Sequence, residues 1–485
     1  MGIGKVRSVL FLLIIWRLCS VFVVQTFHVP DEYWQSLEVA HKLTFNYGHL
    51  TWEWTERIRS YIYPFLISIL YNILHFLSID YTILLIYLPR IFQSLLTAYS
   101  DYRFYIWSKS KWSLFILSIN WYWYYCSTRT LINSFETSLT IIALSHFPWR
   151  EKENNYFFLW IVGLLFTIRP TSAIIWLPLC VYHICTRSKI SILINYFLIG
   201  ITCLTISTFI DSFCYGNFVI TPWEFFKMNV WNNISKSYGV ENHFWYFLSA
   251  LPVLLGIEYF TLISSVWRIF RHWRQFHCET ILLITCFWTI LVYSCLEHKE
   301  FRFILPLLPI FIFICNSRNY ERKRISELRR KLFLGLFIVS NLIPGVYFSL
   351  IHQKGSLNSL EFLRNNLNQG DDILFLTPCH STPLYSHLHK NVSTRFLKCE
   401  PNLNNTKDYI EEAQQFFANP QKWIDENYTK GIHLPTFLVI YDNFQKQIQS
   451  FLLTNYREIY KTFDCHFPQK NYGNYMIVYK KNHPG

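Results

Sequence analysis

Two stretches constrain this chain more than anything else in it. Residues 190–210 run for 21 positions and residues 332–351 for 20 positions without a charged side chain. About 20 apolar residues span the hydrocarbon core of a bilayer, where a helix satisfies its own backbone polar groups. The chain therefore reads as an all-α polytopic membrane protein. Composition agrees, since 52% of the 485 residues are hydrophobic and 15% are charged, against roughly 25% charged in an ordinary soluble domain. That balance excludes disorder, which needs low hydrophobicity and high charge.

Twelve apolar stretches can be marked, at 8–27, 61–79, 81–100, 112–126, 133–148, 156–168, 171–186, 190–213, 244–267, 280–296, 303–315 and 332–351. The 44 Lys and Arg against 31 Asp and Glu give a net charge of +13. That excess does not imply nucleic acid, because Lys and Arg collect in the cytoplasmic loops of membrane proteins. Residues 318–331 carry seven basic side chains and read as such a loop. Working outward, the positive-inside rule places 268–274 in the cytosol, and 214–243, 297–302 and everything after 352 in the lumen. The N-terminus, with Lys5 and Arg7 ahead of a retained first span, reads as cytosolic. A cytosolic start and a luminal end require an odd number of spans, so the expectation is about 11. The surplus is assigned to 156–168 and 171–186, taken as one helix broken around Arg169-Pro170 or as a pair with one re-entrant member.

Two polar segments interrupt this pattern, 28–60 and 352–485. The expected division is a transmembrane domain over 1–351, including a luminal loop at 28–60, and a small C-terminal luminal α/β domain over 352–485. Strand-like runs lie at 372–377 and 436–441, with a charged helical pattern around 408–417. Sequons at Asn233, Asn391, Asn404 and Asn427 all fall on segments placed in the lumen and are the candidate glycosylation sites. Ten of the 13 cysteines sit in or near apolar stretches. Cys379, Cys399 and Cys465 lie in the tail, where an oxidising lumen would allow one disulfide. No CxxC, Asp-x-Asp or Gly-rich phosphate loop occurs, so no metal and no cofactor are expected.

The densest chemical cluster is His28-Val-Pro-Asp-Glu-Tyr-Trp34. Pro30 followed by Asp31 and Glu32 makes a good helix start. The same geometry suits a general base kept ionised at a fixed depth. Adjacent helical side chains point about 100° apart, so at most one of the pair serves. Further on, Trp52, Glu53, Trp54, Glu56 and Arg57 mix aromatic rings with charges. This suits an interfacial helix and equally a sugar-binding surface, with rings for CH faces and acids for hydroxyls. In the turn 297–303, the cations either sit among phospholipid headgroups or clamp a lipid phosphate. In the second case Lys299 and Arg302 bind it, and Glu297 or Glu300 orients them. Arg129 and Arg169 are isolated charges in apolar sequence, which default to a functional hypothesis.

Three segments carry a resemblance: His28-Val-Pro-Asp-Glu-Tyr-Trp-Gln-Ser-Leu-Glu38, Leu50-Thr-Trp-Glu-Trp-Thr-Glu-Arg-Ile-Arg-Ser60 and His298-Lys-Glu-Phe-Arg-Phe-Ile-Leu-Pro306. They are similar to the endoplasmic-reticulum mannosyltransferases that use dolichol-phosphate mannose, glycosyltransferase family 22 of the GT-C superfamily. In the tail, Pro378-Cys-His-Ser-Thr-Pro-Leu-Tyr-Ser-His387 and Arg395-Phe-Leu-Lys-Cys399 resemble the branch acting on the glycosylphosphatidylinositol (GPI) precursor. The resemblance implies a GT-C fold in the endoplasmic-reticulum membrane and an inverting, metal-independent single displacement. It implies dolichol-phosphate mannose as donor, a mannosylated GPI precursor lipid as acceptor, and an α1,2-linked third mannose as product. Asp31 or Glu32 would be the base, and His298, Lys299 and Arg302 would bind the donor phosphate, with Glu300, Arg129 and Arg169 in support. A bridge between Cys379 and Cys399 would hold the tail motif over the active site. Two alternatives stay open. One is a dolichol-phosphate-mannose-dependent enzyme of N-glycan precursor assembly. The other is a non-enzymatic lipid transporter, although transporters usually show internal repeats and none is detectable here.

Overall fold

The computed structural model describes residues 3–150, 155–187, 189–232, 234, 239–316, 327–403, 406, 409–428 and 433–482. Most of the basic loop, 318–326, and the sequons at Asn233 and Asn404 lie outside the described residues. The chain packs as two units. The first holds Met1–Phe22, Glu53–Tyr63 and Pro89–Val346, and the second holds Val23–Trp52, Pro64–Leu88 and Tyr347–Gly485. The boundary expected near 351 therefore shifts, because most of the first polar loop and the helix after it pack with the tail. Backbone bonds show why: Gln25 N–H donates to the Ser349 carbonyl at 2.8 Å and Phe27 N–H to the Gln353 carbonyl at 2.9 Å.

The first unit is helical. Among the described residues of the whole chain, four helices are long and apolar enough to cross a membrane: Thr82–Ser108, Ile190–Tyr215, His277–Cys295 and Lys331–Asn366. A fifth follows if Tyr246–Leu255 and Glu258–Arg271, bent by 116°, count as one broken span. Ile62–Phe76, Phe157–Ile168 and Phe301–Asn316 are shorter apolar helices. Ile190–Tyr215 buries only Ile192, Ile199, Ser207 and Asp211; a helix apolar nearly all round and so little covered by protein suits a lipid-facing position. Inside the unit, the fully buried Arg17 and Asp101 neutralise each other at 2.6 Å. The Trp123 indole adds a 3.0 Å bond to the Asp101 carboxylate.

Two expectations about spans can be set against the structure. Phe157–Ile168 and Ser172–Arg187 are separate helices, not one broken span. Phe158, at the start of the first, stacks 5.4 Å from His183 near the end of the second. Only a hairpin brings those positions together, and Pro170 stops the first helix by disfavouring helical backbone at Arg169. The second concerns 61–79. The helix Ile62–Phe76 has 15 residues, and from Pro64 onward it belongs to the second unit. It lies along the helix Glu38–Phe45, with Asn72 donating to the Thr44 hydroxyl at 3.3 Å and His75 stacked 5.3 Å from Phe45.

The second unit is built on a five-stranded sheet in the order β2-β1-β3-β5-β4. Its strands are β1 Asp372–Leu376, β2 Ser393–Phe396, β3 Phe437–Tyr441, β4 Tyr456–Phe463 and β5 Tyr475–Lys481. β1 pairs parallel with β2 and β3, while β5 pairs antiparallel with β3 and β4. The central β3, Phe-Leu-Val-Ile-Tyr, is buried at every position, as expected of an apolar run covered on both faces. The helix Gly355–Asn366 covers the sheet through Phe362, stacked 4.3 Å from Tyr460. Its first residue must be glycine, since a Cβ there would lie 2.8 Å from the Asp464 carboxylate.

Candidate functional site

The candidate residues divide between the two units. In the second, the chain turns into a helix at Pro30, whose carbonyl accepts from the N–H groups of Tyr33 and Trp34 at 2.9 Å each. Asp31 and Glu32 form the first turn, with Asp31 half-buried and Glu32 only 2% exposed. A π-helical turn, Tyr33–Leu37, follows before Glu38–Phe45. Such turns are rare and concentrate at functional sites.

Each face of this turn is gripped by the tail. Trp34 donates its indole N–H to the Thr382 carbonyl at 3.0 Å and meets the His380 ring edge-on at 4.6 Å. Glu38 is fully buried, and its carboxylate accepts from the N–H groups of Leu384, Tyr385 and Ser386 at 2.8, 3.0 and 3.1 Å. The Ser386 hydroxyl adds a fourth bond at 2.5 Å. Burial raises the Glu38 pKa, and these bonds pull it partly back. Cys379 and Cys399 are joined in a disulfide with Cα atoms 6.2 Å apart, inside the usual range for a bridge. His380 has a backbone φ of 58°, in the left-handed region. Burial pushes its pKa down to about 4 against the pull of the Asp31 carboxylate. Asp31 thus has a neutral imidazole as its neighbour at ordinary pH. Neither Glu38 nor His380 stood out as a site residue in the sequence, although both lie inside the family-like segments.

In the first unit, the turn 297–302 is organised differently from the phosphate clamp expected of it. Lys299 is buried and donates to three carbonyls, Glu241 at 3.0 Å, Leu296 at 2.5 Å and Glu297 at 3.5 Å. Its ammonium is spent on holding the turn. Glu300, not Glu297, orients the arginine: Arg302 donates through Nε and Nη2 to its two carboxylate oxygens at 2.6 and 2.7 Å. His298 bonds the same carboxylate at 2.9 Å. Burial would raise the Glu300 pKa, but Arg302 and His298 outweigh it and hold the group well below the usual carboxylate range. The Arg302 carbonyl accepts from the Asn133 side chain at 3.1 Å.

Arg169 pairs with Glu136, a buried carboxylate passed over as a candidate although it is an intramembrane charge like the two arginines. Arg129 lies over the Tyr125 ring at 4.2 Å and donates to the Tyr125 carbonyl at 3.0 Å. The proposed sugar loop is divided: Trp52 belongs to the second unit, while Glu53, Trp54, Glu56 and Arg57 belong to the first. There Glu53 is paired with Arg59 at 2.5 Å, and Trp54 is buried 4.7 Å from Tyr61. The segment is fastened by Asp211, which accepts from Ser60 Oγ and Tyr61 N–H at 3.1 and 2.8 Å. Of the described sequons, Asn391 is exposed. The Asn427 amide nitrogen is committed to the Trp423 carbonyl at 3.0 Å, and its oxygen to Arg395 at 2.8 Å.

Residues 8–389 match the Alg9-like mannosyltransferase family. The GPI mannosyltransferase 3 of Drosophila melanogaster is 45% identical over 472 residues, covering 94% of this chain and 83% of that protein. The GPI alpha-1,2-mannosyltransferase 3 of Homo sapiens is 38% identical over 500 residues, covering 100% of this chain and 88% of that one. Among solved structures, ArnT from Cupriavidus metallidurans bound to undecaprenyl phosphate superposes with a TM-score of 0.61. That likeness covers 99% of this chain and 98% of ArnT at 10% identity, and so speaks for a shared GT-C fold alone. With that fold, a match over most of its length and relatives well above 30% identity, the chain is a glycosyltransferase and belongs to the Alg9-like mannosyltransferase family.

Proposed function

We propose that the protein transfers the third mannose, α1,2-linked, from dolichol-phosphate mannose to a GPI precursor lipid at the luminal face of the endoplasmic-reticulum membrane. The substrate assignment is supported by the activity named in its near full-length relatives. The observation that carries the chemistry is Asp31, half-buried on a helix start whose next turns are locked to the tail by Trp34 and Glu38. A base needs a fixed position and an ionised carboxylate. Asp31 accepts the proton of the acceptor hydroxyl as that oxygen attacks the anomeric carbon, and the phosphate leaves from the opposite face in one inverting displacement. Arg302, held in orientation by Glu300, stabilises the charge that develops on the phosphate. The reading calls for no general acid, because phosphate is a competent leaving group, and for no metal, because a guanidinium serves the charge.

Purified enzyme, dolichol-phosphate mannose and a dimannosylated GPI precursor test this reading. The expected product carries one further α1,2-mannose and forms at an undiminished rate in excess EDTA. Transfer instead to a lipid-linked N-glycan precursor would assign the enzyme to the other pathway. Loss of activity in chelator, restored by manganese or magnesium, would overturn the metal-free mechanism.

A further inference from the structure

Within the first unit, the helix Glu258–Arg271 is turned by 116° from Tyr246–Leu255, which precedes it. Its neighbours fix its level. Ahead of the bend, Glu241 donates its N–H to the Glu297 carbonyl and His243 bonds the Ser294 carbonyl, both at 3.0 Å, so the chain starts beside the turn 297–302. After the bend, the Glu258 carbonyl lies 4.0 Å from Cys315 Sγ, near the far end of the apolar helix Phe301–Asn316, which leaves that same turn. At its other end, Glu258–Arg271 enters the helix His277–Cys295 through a tight connection, with Thr280 donating to the Phe276 and Trp273 carbonyls at 2.7 and 3.3 Å. His277–Cys295 runs back to the turn 297–302. Both ends of Glu258–Arg271 therefore lie remote from that turn, where the neighbouring helices end.

The helix has three sides. At about 100° per residue, Glu258, Leu262, Ser265 and Ile269 form one stripe, and it is buried. Phe260, Ile263, Trp267 and Phe270 form a second, nearly opposite, and all four are exposed. Thr261, Ser264, Arg268 and Arg271 line the third side. The connection adds Arg274, whose guanidinium lies 5.4 Å from the ring centroid of the exposed Trp273. No acidic residue occurs from 259 to 278. Where a membrane-crossing helix leaves its protein contacts, it meets acyl chains and needs an apolar surface throughout. A helix lying in the interface meets acyl chains on one flank and headgroups on the other, and so carries an apolar and a basic side.

We propose that Glu258–Arg271 lies in the membrane plane and docks on anionic lipid in the leaflet remote from the turn 297–302, the cytosolic leaflet by the distribution of Lys and Arg. The stripe from Phe260 to Phe270 enters the acyl boundary, Trp267 and Trp273 sit at headgroup depth, and Arg271 and Arg274 meet lipid phosphates. Charge selects this occupant. Three arginines in a segment free of acidic residues are drawn to a negative surface, whereas an apolar partner helix would gain nothing from them. The surface is apart from Asp31 and Arg302 and does not depend on the reaction proposed for them.

Two measurements on the full-length enzyme test this. On sealed microsomes, an impermeant maleimide read by peptide-resolved mass spectrometry should label Ser264→Cys at once and leave Phe270→Cys unlabelled. Protection of both would return the segment to the bilayer interior or to a protein partner, and labelling of both would lift it off the membrane; either overturns the proposal. In nanodiscs of mixed phosphatidylcholine and phosphatidylserine, native mass spectrometry of the released enzyme reads which lipid stays bound. The wild type should retain phosphatidylserine in excess. That enrichment should fall about 5-fold for each of Arg271→Gln and Arg274→Gln and persist in Arg271→Lys and Arg274→Lys. Equal enrichment in the wild type and the double glutamine variant would remove the headgroup contact. A fall that the lysine variants fail to restore would assign the arginines a structural role and overturn the proposal as well.

Discussion

At Glu38 a fully buried carboxylate accepts four hydrogen bonds from residues more than 340 positions away in sequence. An amide cannot replace it, since its nitrogen would face N–H groups and leave at least one donor unpaired. Glu38→Gln is expected to cost about 1–3 kcal/mol, read as a fall of several degrees in the Tm of the purified enzyme, and an unchanged Tm would contradict the account. Asp31→Asn should leave Tm in place while transfer drops by about 10²–10⁴-fold. Glu32→Gln should affect transfer far less, because the Glu32 side chain is buried. Near-normal transfer by Asp31→Asn would remove it as the base. For Lys299, tied to three carbonyls, substitution by alanine should lower Tm, while Arg302→Ala should raise donor KM and also lower Tm, because it leaves the Glu300 carboxylate without its partner. Asp31 and Glu32 were legible in the sequence as adjacent carboxylates at a helix start. The role of Lys299 was not, because its partners are backbone carbonyls that no side-chain pattern records. Glu38 was equally hidden, since its partner turn is set by the tail fold.

At the scale of elements, β1 and β3 are visible as apolar runs because both lie in the sheet interior. β4, Tyr-Arg-Glu-Ile-Tyr-Lys-Thr-Phe, alternates too weakly to be seen, with charged residues on its exposed positions. The helix Ile62–Phe76 misleads for a different reason. Its composition is that of a span, but Ile67, Tyr71 and Leu74 make a buried stripe while Phe65, Ile69, Ile73 and Phe76 stay exposed. Packing within the second unit and periodicity, rather than hydropathy, separate the two. The elements around it also carry imidazoles with lowered pKa values. Burial, with the His389 imidazole adding to it, takes His41 down to about 3; burial takes His380 down to about 4. Between pH 4 and 6.5 the unfolded chain binds protons at these two sites that the folded chain does not, so their contribution to stability is lost as pH falls below about 6.5. Asp464 acts in the opposite sense: burial raises it to about 6. The folded chain then keeps a proton that the unfolded one releases above about 3.9. Two imidazoles outweigh one carboxyl, so Tm should decline steadily from pH 7 to pH 5. His41→Asn with His380→Gln should flatten that slope, and a Tm independent of pH in the wild type would refute the assignment.

Across the whole molecule, these two helices offer a second way to reach an odd number of spans. We propose that the stretch at 61–79 does not cross and that Phe157–Ile168 and Ser172–Arg187 cross as a hairpin, which again gives the 11 spans that a cytosolic start and a luminal end would need. The sequence reading reached 11 by taking that pair either as one broken helix, which the hairpin contact between Phe158 and His183 excludes, or as a pair with one re-entrant member. Removing 61–79 instead changes the side assigned to every loop between 80 and the merged pair. Lys109 and Lys111, then Arg150, Arg187 and Lys189, then Arg268, Arg271 and Arg274, all fall on the side of the basic stretch 318–331. A single rule, Lys and Arg retained in the cytosol, then accounts for all of them. On this scheme the loops carrying Asp31, Arg129, Arg169 and Arg302 would fall on the luminal side, as the proposed reaction on a luminal lipid requires. Thr82–Ser108, at 27 residues or about 40 Å, is long enough to make the first return crossing alone. Cysteines introduced one at a time on either side of it test the scheme, with an impermeant maleimide on sealed microsomes and peptide-resolved mass spectrometry to set aside native thiols. Ser78→Cys should stay unlabelled until the membrane is permeabilised, and Lys111→Cys should be labelled at once. Labelling of Ser78→Cys from outside would make Ile62–Phe76 a crossing helix and restore the conflict between the charges and the count. Glycosylation at the exposed Asn391, in preference to the bonded Asn427, would mark the tail as luminal by independent chemistry.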